Sequence, residues 1–496
     1  MFYFVGIDLP HAITGVDRAM FNRIKLFNSI DQPAKILYFN YYPLLYRNTK
    51  KFGVTEDVLY LYDHFHEVHS SYQGPKQDWL AYFKDVRGYI PVQVNTSNDY
   101  MLYYNTKLVA YVRFTDSELN QIDFLSYYDT NLKKIKEDTY DYRGFKSSTT
   151  YYDNEQRAQV QHIYSIDGQV KVERYFDVTN QSIKHVIVHE TPNDERIFVS
   201  NDAFLAYCME QFYKEGDLFI IDRPFEMVPV FNLVDQKIPA AVVMHAVPYN
   251  NMYDSTEIQF QYQTLIPSAN RFNAIIVSTE QQKADVERII DYKTKVFAIP
   301  VGFVSHAHQP LENHNNKKAN QLISIARYEN GKQHEHQFRL IQKLVKDFPD
   351  IELHLYGYGS FQEKFRQMIS EMQLQKHVFI HHFVDDLTPI YNQASLSIFT
   401  SNSEGFALSI LESLIHHTPV IAYDIKYGPS EMIIDGVNGN LVARNDEDAL
   451  YHTVKAFLSD EALQTKYYQQ CYQSIQKFNE DAIAQKWLNF TQYDIY

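Results

Sequence analysis

Two carboxylates, Glu404 and Glu412, stand close together in the run Ser401-Asn-Ser-Glu-Gly-Phe-Ala-Leu-Ser-Ile-Leu-Glu-Ser413. The run before them, Leu396 to Thr400, reads as a buried strand, and Gly405 to His416 has the length and apolar spacing of a helix. Glu404 is then expected at the helix mouth, with Glu412 on nearly the same face, roughly 12 Å further along the axis. Backbone N–H groups around Gly405, Phe406, Ala407 and Leu408 would favour a phosphate, and Gly405 would let it approach closely. One carboxylate could hold a sugar hydroxyl near that phosphate and the other a ribose hydroxyl. The same pair also reads as a helix-terminal acid followed by an unrelated surface acid.

Three further places carry chemistry. Arg327 and Lys332 can converge on one anion, the first with planar donors and the second with a compact charge. Facing the helix mouth, they would complete a diphosphate site able to neutralise a leaving pyrophosphate without a divalent metal. His245 ends an apolar strand and would face a cleft, although with 20 histidines a structural role is the commoner one. Thr14-Gly15, between a first strand and a first helix, resembles a short phosphate-binding loop. Asp446-Glu-Asp448 has the spacing of a metal-binding pair, but it sits just before a helical run, and helix-terminal acids explain it better. No zinc spacing, Walker loop or Ser-His-Asp signature is found, and no metal site is expected.

The elements that position these residues alternate. From Leu322 onward the strands Leu322–Ala326, Ile351–Tyr356, Val378–Phe383, Leu396–Thr400 and Pro419–Tyr423 are interleaved with helices, as in a doubly wound parallel sheet. Ligands sit at the carboxyl ends of such strands. Arg327, Lys332, His382, Phe383 and Glu404 all fall there.

A second, discontinuous α/β unit opens with Phe2–Ile7 and resumes near Ala203. Between its parts, Tyr-rich runs and the hairpin mark Asp167-Gly168 predict an antiparallel sheet. The expected fold is α/β: two facing Rossmann-like domains with an inserted antiparallel β-sheet domain. The first domain takes 1–45 and 198–304, the insertion 46–197, a linker 305–320 and the second domain 321–480. A C-terminal helix, 481–496, is expected to pack back on the first domain.

Composition narrows the class. At 496 residues and 45% hydrophobic the chain can build several cores, and its two cysteines, far apart in sequence, suit a reducing cytoplasm. A net charge of −15 argues against nucleic-acid binding. No run approaches a membrane span, and Met1–Asp8 reads as a strand with no signal-peptide character. The 40 tyrosines suit half-buried sheets and surfaces that grip extended partners, although coding bias explains them equally well.

Taken together, Ala326-Arg327 with Lys332, Leu355-Tyr-Gly-Tyr-Gly359, Glu404 to Glu412 and Asp435-Gly-Val-Asn-Gly439 resemble the retaining glycosyltransferases of family 4, a group with the GT-B fold. Further runs extend the likeness over nearly the whole chain: Tyr62-Asp-His-Phe65, Val277-Ser-Thr-Glu-Gln-Gln282, Ile299-Pro-Val-Gly302 and Tyr423-Asp-Ile-Lys-Tyr-Gly-Pro429. They are similar to the bacterial members that carry an inserted β-sheet domain, in particular the serine–aspartate repeat glycosyltransferases of staphylococcal adhesins.

This resemblance implies UDP-GlcNAc as donor, no cofactor or divalent metal, and Ser hydroxyls of Ser-Asp repeats in adhesins as acceptor. It places Arg327 and Lys332 on the diphosphate, Glu412 on ribose, Glu404 on the donor sugar and His245 beside the transferring sugar. Gly15 leaves room at the donor phosphate, and backbone near His382 and Phe383 receives uracil. The first loop lacks the two-glycine form of the wider family.

An acidic enzyme repels an acidic acceptor unless a basic strip intervenes. Lys133, Lys134, Lys136, Arg143 and Lys146 are the candidates, with a solvated charged hairpin as the alternative. Dimerisation through the insertion is an equally good reading. The competing functions are GlcNAc transfer to wall teichoic acid and a non-catalytic partner or chaperone of an adhesin transferase. The enzyme is expected in the cytoplasm, free or peripheral to the membrane near the export machinery.

Overall fold

The computed structural model describes residues 1–11, 13–191, 194–251, 253, 256–306, 308 and 316–492. The chain divides into two compact units, Met1–Ile24 with Gln32–Ala240, and Lys25–Asp31 with Ala241–Tyr496.

In the first unit, β1 (Phe2–Gly6), β2 (Ala34–Tyr38), β3 (Val58–Tyr60) and, after a long excursion, β14 (Leu218–Ile221) run parallel in the order β14-β1-β2-β3. β1 and β14 are buried along their whole length, which is why they read as continuous apolar runs without alternation. β3 corrects the expected boundary at residue 46. It pairs with β2 through Ile36↔Val58 and is flanked by the helices Leu45–Phe52 and Leu61–His66. The antiparallel insertion starts only at β4 (Ile90–Gln93). Three residues of strand are too few to show a period, so β3 was not legible.

From β4 to β13 (Asp194–Phe198) ten strands form one antiparallel sheet in sequence order. Leu102, Ala110, Val112 and Leu125 share its core with Phe83. The hairpin at Asp167-Gly168 closes as expected: Gly168 takes φ +87° and its N–H donates to Ser165 O at 2.9 Å.

The second unit holds two sets of parallel strands. β15 (Ala240–Val243), β16 (Ala274–Val277) and β17 (Val296–Ala298) pair in that order. The C-terminal helix Glu480–Gln492 sets Trp487 edge-on to Phe27 at 5.4 Å and Phe490 to Phe297 at 5.2 Å. The other set comprises β18 (Lys318–Ile325), β19 (Glu352–Tyr356), β20 (Val378–His381), β21 (Ala394–Phe399), β22 (Val420–Asp424) and β23 (Gly439–Ala443). Their order is β20-β19-β18-β21-β22-β23. The order reverses beside β18, so the carboxyl ends of β18 and β21 flank a topological switch point, where ligands of such sheets bind. Of the linker expected at 305–320, residues 307 and 309–315 lie outside the described residues, and β18 begins within it.

Candidate active site

The loops leaving β18 and β21 meet. After β18 the chain reaches Arg327, passes through the short turn Asn330–Lys332 and enters the helix His334–Leu344. After β21 it runs through Thr400 to Glu404. Asn402 N–H donates to Gly331 O at 2.8 Å, and the Thr400 hydroxyl donates to Lys332 O at 3.0 Å. Gln337 Nε2 in turn donates to Thr400 Oγ1 at 2.8 Å and Ser324 Oγ at 3.0 Å. This buried polar set fixes the lysine loop on the end of β21, because a polar group left unpaired at such depth costs about 1–3 kcal/mol.

The Lys332 ammonium lies 2.5 Å from Glu404 Oε1, with both side chains largely shielded. Arg327 is out in solvent, 61% exposed, and forks toward Glu329 at 2.7 Å. The two cations expected on one anion thus sit on the same loop. Lys332 is seated beside Glu404, and Arg327 has a solvated partner that it can leave at little cost.

The backbone of Glu404 is held on both sides. Its N–H donates to Lys426 O at 3.0 Å, and its carbonyl accepts from Tyr427 N–H at 2.8 Å. Lys426 Nζ and the Tyr427 hydroxyl each reach Asp285 Oδ2 at 2.7 Å. Burial works against charge on Asp285, yet the hydrogen bonds from Lys426 and Tyr427 hold its carboxyl below the ordinary range. Gly405 passes the strand end after β15 so closely that a Cβ there would lie 1.9 Å from His245 O. His245 and Glu404, distant in sequence, are brought together by that contact.

One expected feature is corrected. The helix after Glu404 spans only Leu408–Ile415, and Ala407 precedes it in the left-handed region at φ 67°. Glu404, Gly405 and Phe406 therefore lie in a loop and not in a first helical turn, and the straight two-turn spacing to Glu412 does not apply. The cause is tertiary: Gly405 is threaded against His245 O, and Gly428 packs against the carbonyl of Phe406. Glu412 accepts from the Tyr391 hydroxyl at 3.0 Å, and Tyr391 stacks parallel on His416 at 5.5 Å.

At the other end of the sheet, His382 follows β20 and is exposed, while Phe383 meets Tyr358 edge-on at 5.9 Å. Tyr328 ties this region to the arginine loop, its hydroxyl donating to His381 O at 2.7 Å and Leu355 O at 2.9 Å. In the first unit, Gly15 opens the helix Gly15–Ser29, and a Cβ there would meet no protein atom within 4 Å. The protein's own packing does not demand glycine at that point. The neighbouring loop is pinned by Asp17, which accepts from Thr14 N–H at 2.8 Å and from Arg223 at 2.9 Å.

The basic strip expected on the insertion is also corrected. Arg143 is 1% exposed and forked between Asp141 at 2.8 Å and Asp63 at 2.7 Å, so it is a structural ion pair. Lys134 pairs with Glu137 at 3.2 Å, and Lys136 and Lys146 both face Asp138, at 3.8 and 3.1 Å. Lys133 donates to Asn154 O at 2.6 Å. The positive charge is largely neutralised by acids on the same strands. Asp446 caps the helix Glu447–Ser459 by accepting from Ala449 N–H at 2.8 Å, as its sequence position suggested. Among the described residues no three His, Cys, Asp or Glu side chains converge on a metal position, and no helix is long and apolar enough to cross a membrane.

Sequence reasoning did not find Gln337, Thr400, Asp285 or Tyr391. Tyr427-Gly-Pro429 lies in one of the runs that carry the family likeness, but nothing in the sequence ties it to Asp285.

Parallel α/β sheets with a switch-point site, interrupted by a ten-stranded antiparallel insertion, define a GT-B fold. Residues 308–477 match the family described as Glycosyl transferases group 1. The chain is 26% identical over 490 residues to the poly(ribitol-phosphate) alpha-N-acetylglucosaminyltransferase of Staphylococcus aureus, covering 96% of each. It is 25% identical to the GtfA subunit of the UDP-N-acetylglucosamine–peptide N-acetylglucosaminyltransferase of Streptococcus parasanguinis, covering 99% of this chain and 98% of that one. The pneumococcal O-GlcNAc transferase GtfA, solved with UDP and GlcNAc, shares the fold at TM-score 0.84 and 21% identity, over 99% and 98% of the two chains.

Proposed function

We propose that this protein is a retaining glycosyltransferase that moves GlcNAc from UDP-GlcNAc to serine hydroxyls of Ser-Asp repeats in cell-wall adhesins. The observation that carries the reading is the Lys332–Glu404 pair at the switch point, with Arg327 on the same loop and the His245 backbone against Gly405. In this reading Lys332 leaves Glu404 for the donor diphosphate and Arg327 swings from Glu329 to join it. Two cations then stabilise the departing UDP. Glu404 takes a hydroxyl of the donor sugar and Glu412 the ribose, with Tyr391 fixing the Glu412 carboxylate. His245 lies beside the transferring sugar, Gly15 leaves space at the donor phosphate, and the backbone near His382 and Phe383 receives uracil. Attack comes from the face that the diphosphate leaves, and the diphosphate assists removal of the acceptor proton.

A second reading, transfer to a polyol phosphate, is favoured by the relative named for poly(ribitol-phosphate). Incubation with UDP-GlcNAc and either a Ser-Asp repeat peptide or poly(ribitol phosphate), followed by mass spectrometry, separates the two. Hexosamine mass on the peptide supports the first, and mass on the polyol alone overturns it. Dimerisation through the inserted sheet is part of the proposal and is tested by sedimentation.

A further inference from the structure

The proposed acceptor is an acidic repeat, and on the inserted sheet Lys134, Lys136, Arg143 and Lys146 are already paired with acids. A cation outside the insertion is then needed to help meet the acceptor's negative charge. The carboxyl edge of the six-stranded sheet gives a spatial order for the site. His382 and Phe383 follow β20, Arg327 and Lys332 follow β18, Glu404 follows β21, Lys426 and Tyr427 follow β22, and Arg444 follows β23. If the nucleotide occupies the β20-to-β18 side, the sugar lies at Glu404 and the β22-to-β23 side of this edge is left for groups beyond the sugar.

Arg444 differs from the other cations of this edge. Arg327 is paired with Glu329, Lys332 with Glu404 and Lys426 with Asp285, whereas no carboxylate pairs with Arg444 among the described residues. Its guanidinium is held in place all the same. Nη1 donates to Asn402 Oδ1 at 3.0 Å, and the guanidinium carbon sits 3.8 Å over the ring of Tyr253. The Tyr253 hydroxyl accepts from Lys426 N–H at 2.9 Å, so the aromatic platform is anchored to the segment that also braces Glu404. Stacking orients the planar fork, and one bond to Asn402 uses one of its five donors. A pre-positioned, half-buried arginine with spare donors suits a carboxylate, which it can grip with two parallel bonds.

The geometry points to Arg444, carried on Tyr253 and Asn402, as an acceptor subsite that binds an aspartate carboxylate of the Ser-Asp repeat. This rests on the transferase reading above. β23 lies two strands from β21, so Arg444 and Glu404 leave the sheet roughly 10 Å apart. An unfolded acidic repeat favours polyproline II, in which three residues make one turn of about 9 Å. In a strict Ser-Asp alternation the residue three beyond a serine is an aspartate on the same side of that helix. A serine at the reaction centre would thus present an aspartate at the distance of Arg444.

The test is steady-state kinetics on the full chain with a Ser-Asp repeat peptide and a Ser-Asn repeat peptide of equal length. Arg444→Gln is expected to raise KM for the Ser-Asp peptide at least tenfold while moving KM for UDP-GlcNAc less than twofold. Its KM for the Ser-Asn peptide should match wild type. Arg444→Lys should recover part of the loss, and Tyr253→Leu should reproduce several-fold of it. Rising NaCl should raise wild-type KM for the Ser-Asp peptide and leave the Arg444→Gln value nearly flat.

An unchanged KM for the Ser-Asp peptide in Arg444→Gln, or a parallel rise in donor KM, overturns the subsite while leaving the transferase reading intact. Wild-type protein that modifies neither peptide nor poly(ribitol phosphate) overturns the transferase reading itself. Transfer to poly(ribitol phosphate) alone, with its KM raised in Arg444→Gln, overturns the peptide assignment.

Discussion

Gly405→Ala tests whether the strand end at His245 and the loop of Glu404 work as one unit. The added Cβ would lie 1.9 Å from His245 O, 2.6 Å from its carbonyl carbon and 3.2 Å from Ala246 N, all backbone atoms. Real Cβ contacts essentially never fall under 3.0 Å, so the gap must open by at least 3.0 − 1.9 = 1.1 Å. His245 cannot retreat easily. Ala246 N–H donates to the Tyr262 hydroxyl at 3.0 Å, and Gln282 Nε2 donates to Ala246 O at 2.9 Å. The displacement therefore falls on Glu404, whose own backbone bonds to Lys426 and Tyr427 must stretch or break. A misplacement of about 1 Å at a reacting centre costs on the order of 100-fold in rate, and overpacking costs roughly 1–3 kcal/mol of stability. The expected variant is folded, melts a few degrees lower and transfers GlcNAc with kcat reduced about 100-fold, with UDP affinity by calorimetry falling less than tenfold. Wild-type kcat within a factor of two would refute the coupling, because it would mean that the loop can move an ångström without consequence.

Three further outcomes are expected. Lys332→Ala removes the ammonium beside Glu404 and should lower transfer at least 100-fold while changing chemical-denaturation stability by only about 1 kcal/mol, since the pair is shielded but not fully buried. Tyr391→Phe deletes the hydroxyl that Glu412 accepts, and a several-fold loss of UDP affinity measured by calorimetry is expected, with little change in kcat at saturating donor. His334 is wholly buried between Tyr328 and Phe365, and burial lowers its pKa to about 4 from an ordinary 6.5. The folded state thus binds fewer protons, so its contribution is fully present above pH 6.5 and is lost as pH falls toward 4, by up to roughly 3 kcal/mol. His334→Phe should flatten the fall of urea-unfolding stability across that window, and an unchanged slope would contradict it.

What was legible from the sequence follows from how local each signal is. β14 (Leu218–Ile221) and β16 (Ala274–Val277) are continuous apolar runs that stand out in the sequence, because burial on both faces leaves no competing pattern. Lys332 and Glu404 were foreseeable as neighbours since both follow strands of one parallel sheet, and the switch-point rule places such ends together. The failures have the opposite cause. Apolar spacing extended the helix back to Gly405, but spacing carries no information about the carbonyl of His245, which occupies the space that a helical turn would need. Counting lysines on a hairpin gave a basic strip, but cross-strand register decides the net field. Asp138 stands on the same strand as Lys136, and Lys146 reaches it from the next strand. Charge that is visible in one dimension is cancelled in two. By the same logic Arg444, inconspicuous in a run that also holds Asp446, Glu447 and Asp448, gains its significance only in the fold. Asp446 turns away to cap a helix, Glu447 pairs with Arg339 at 2.7 Å and Asp448 with Lys343 at 2.6 Å. With its acidic neighbours so engaged, the guanidinium rests on Tyr253 and Asn402 and has no carboxylate partner among the described residues.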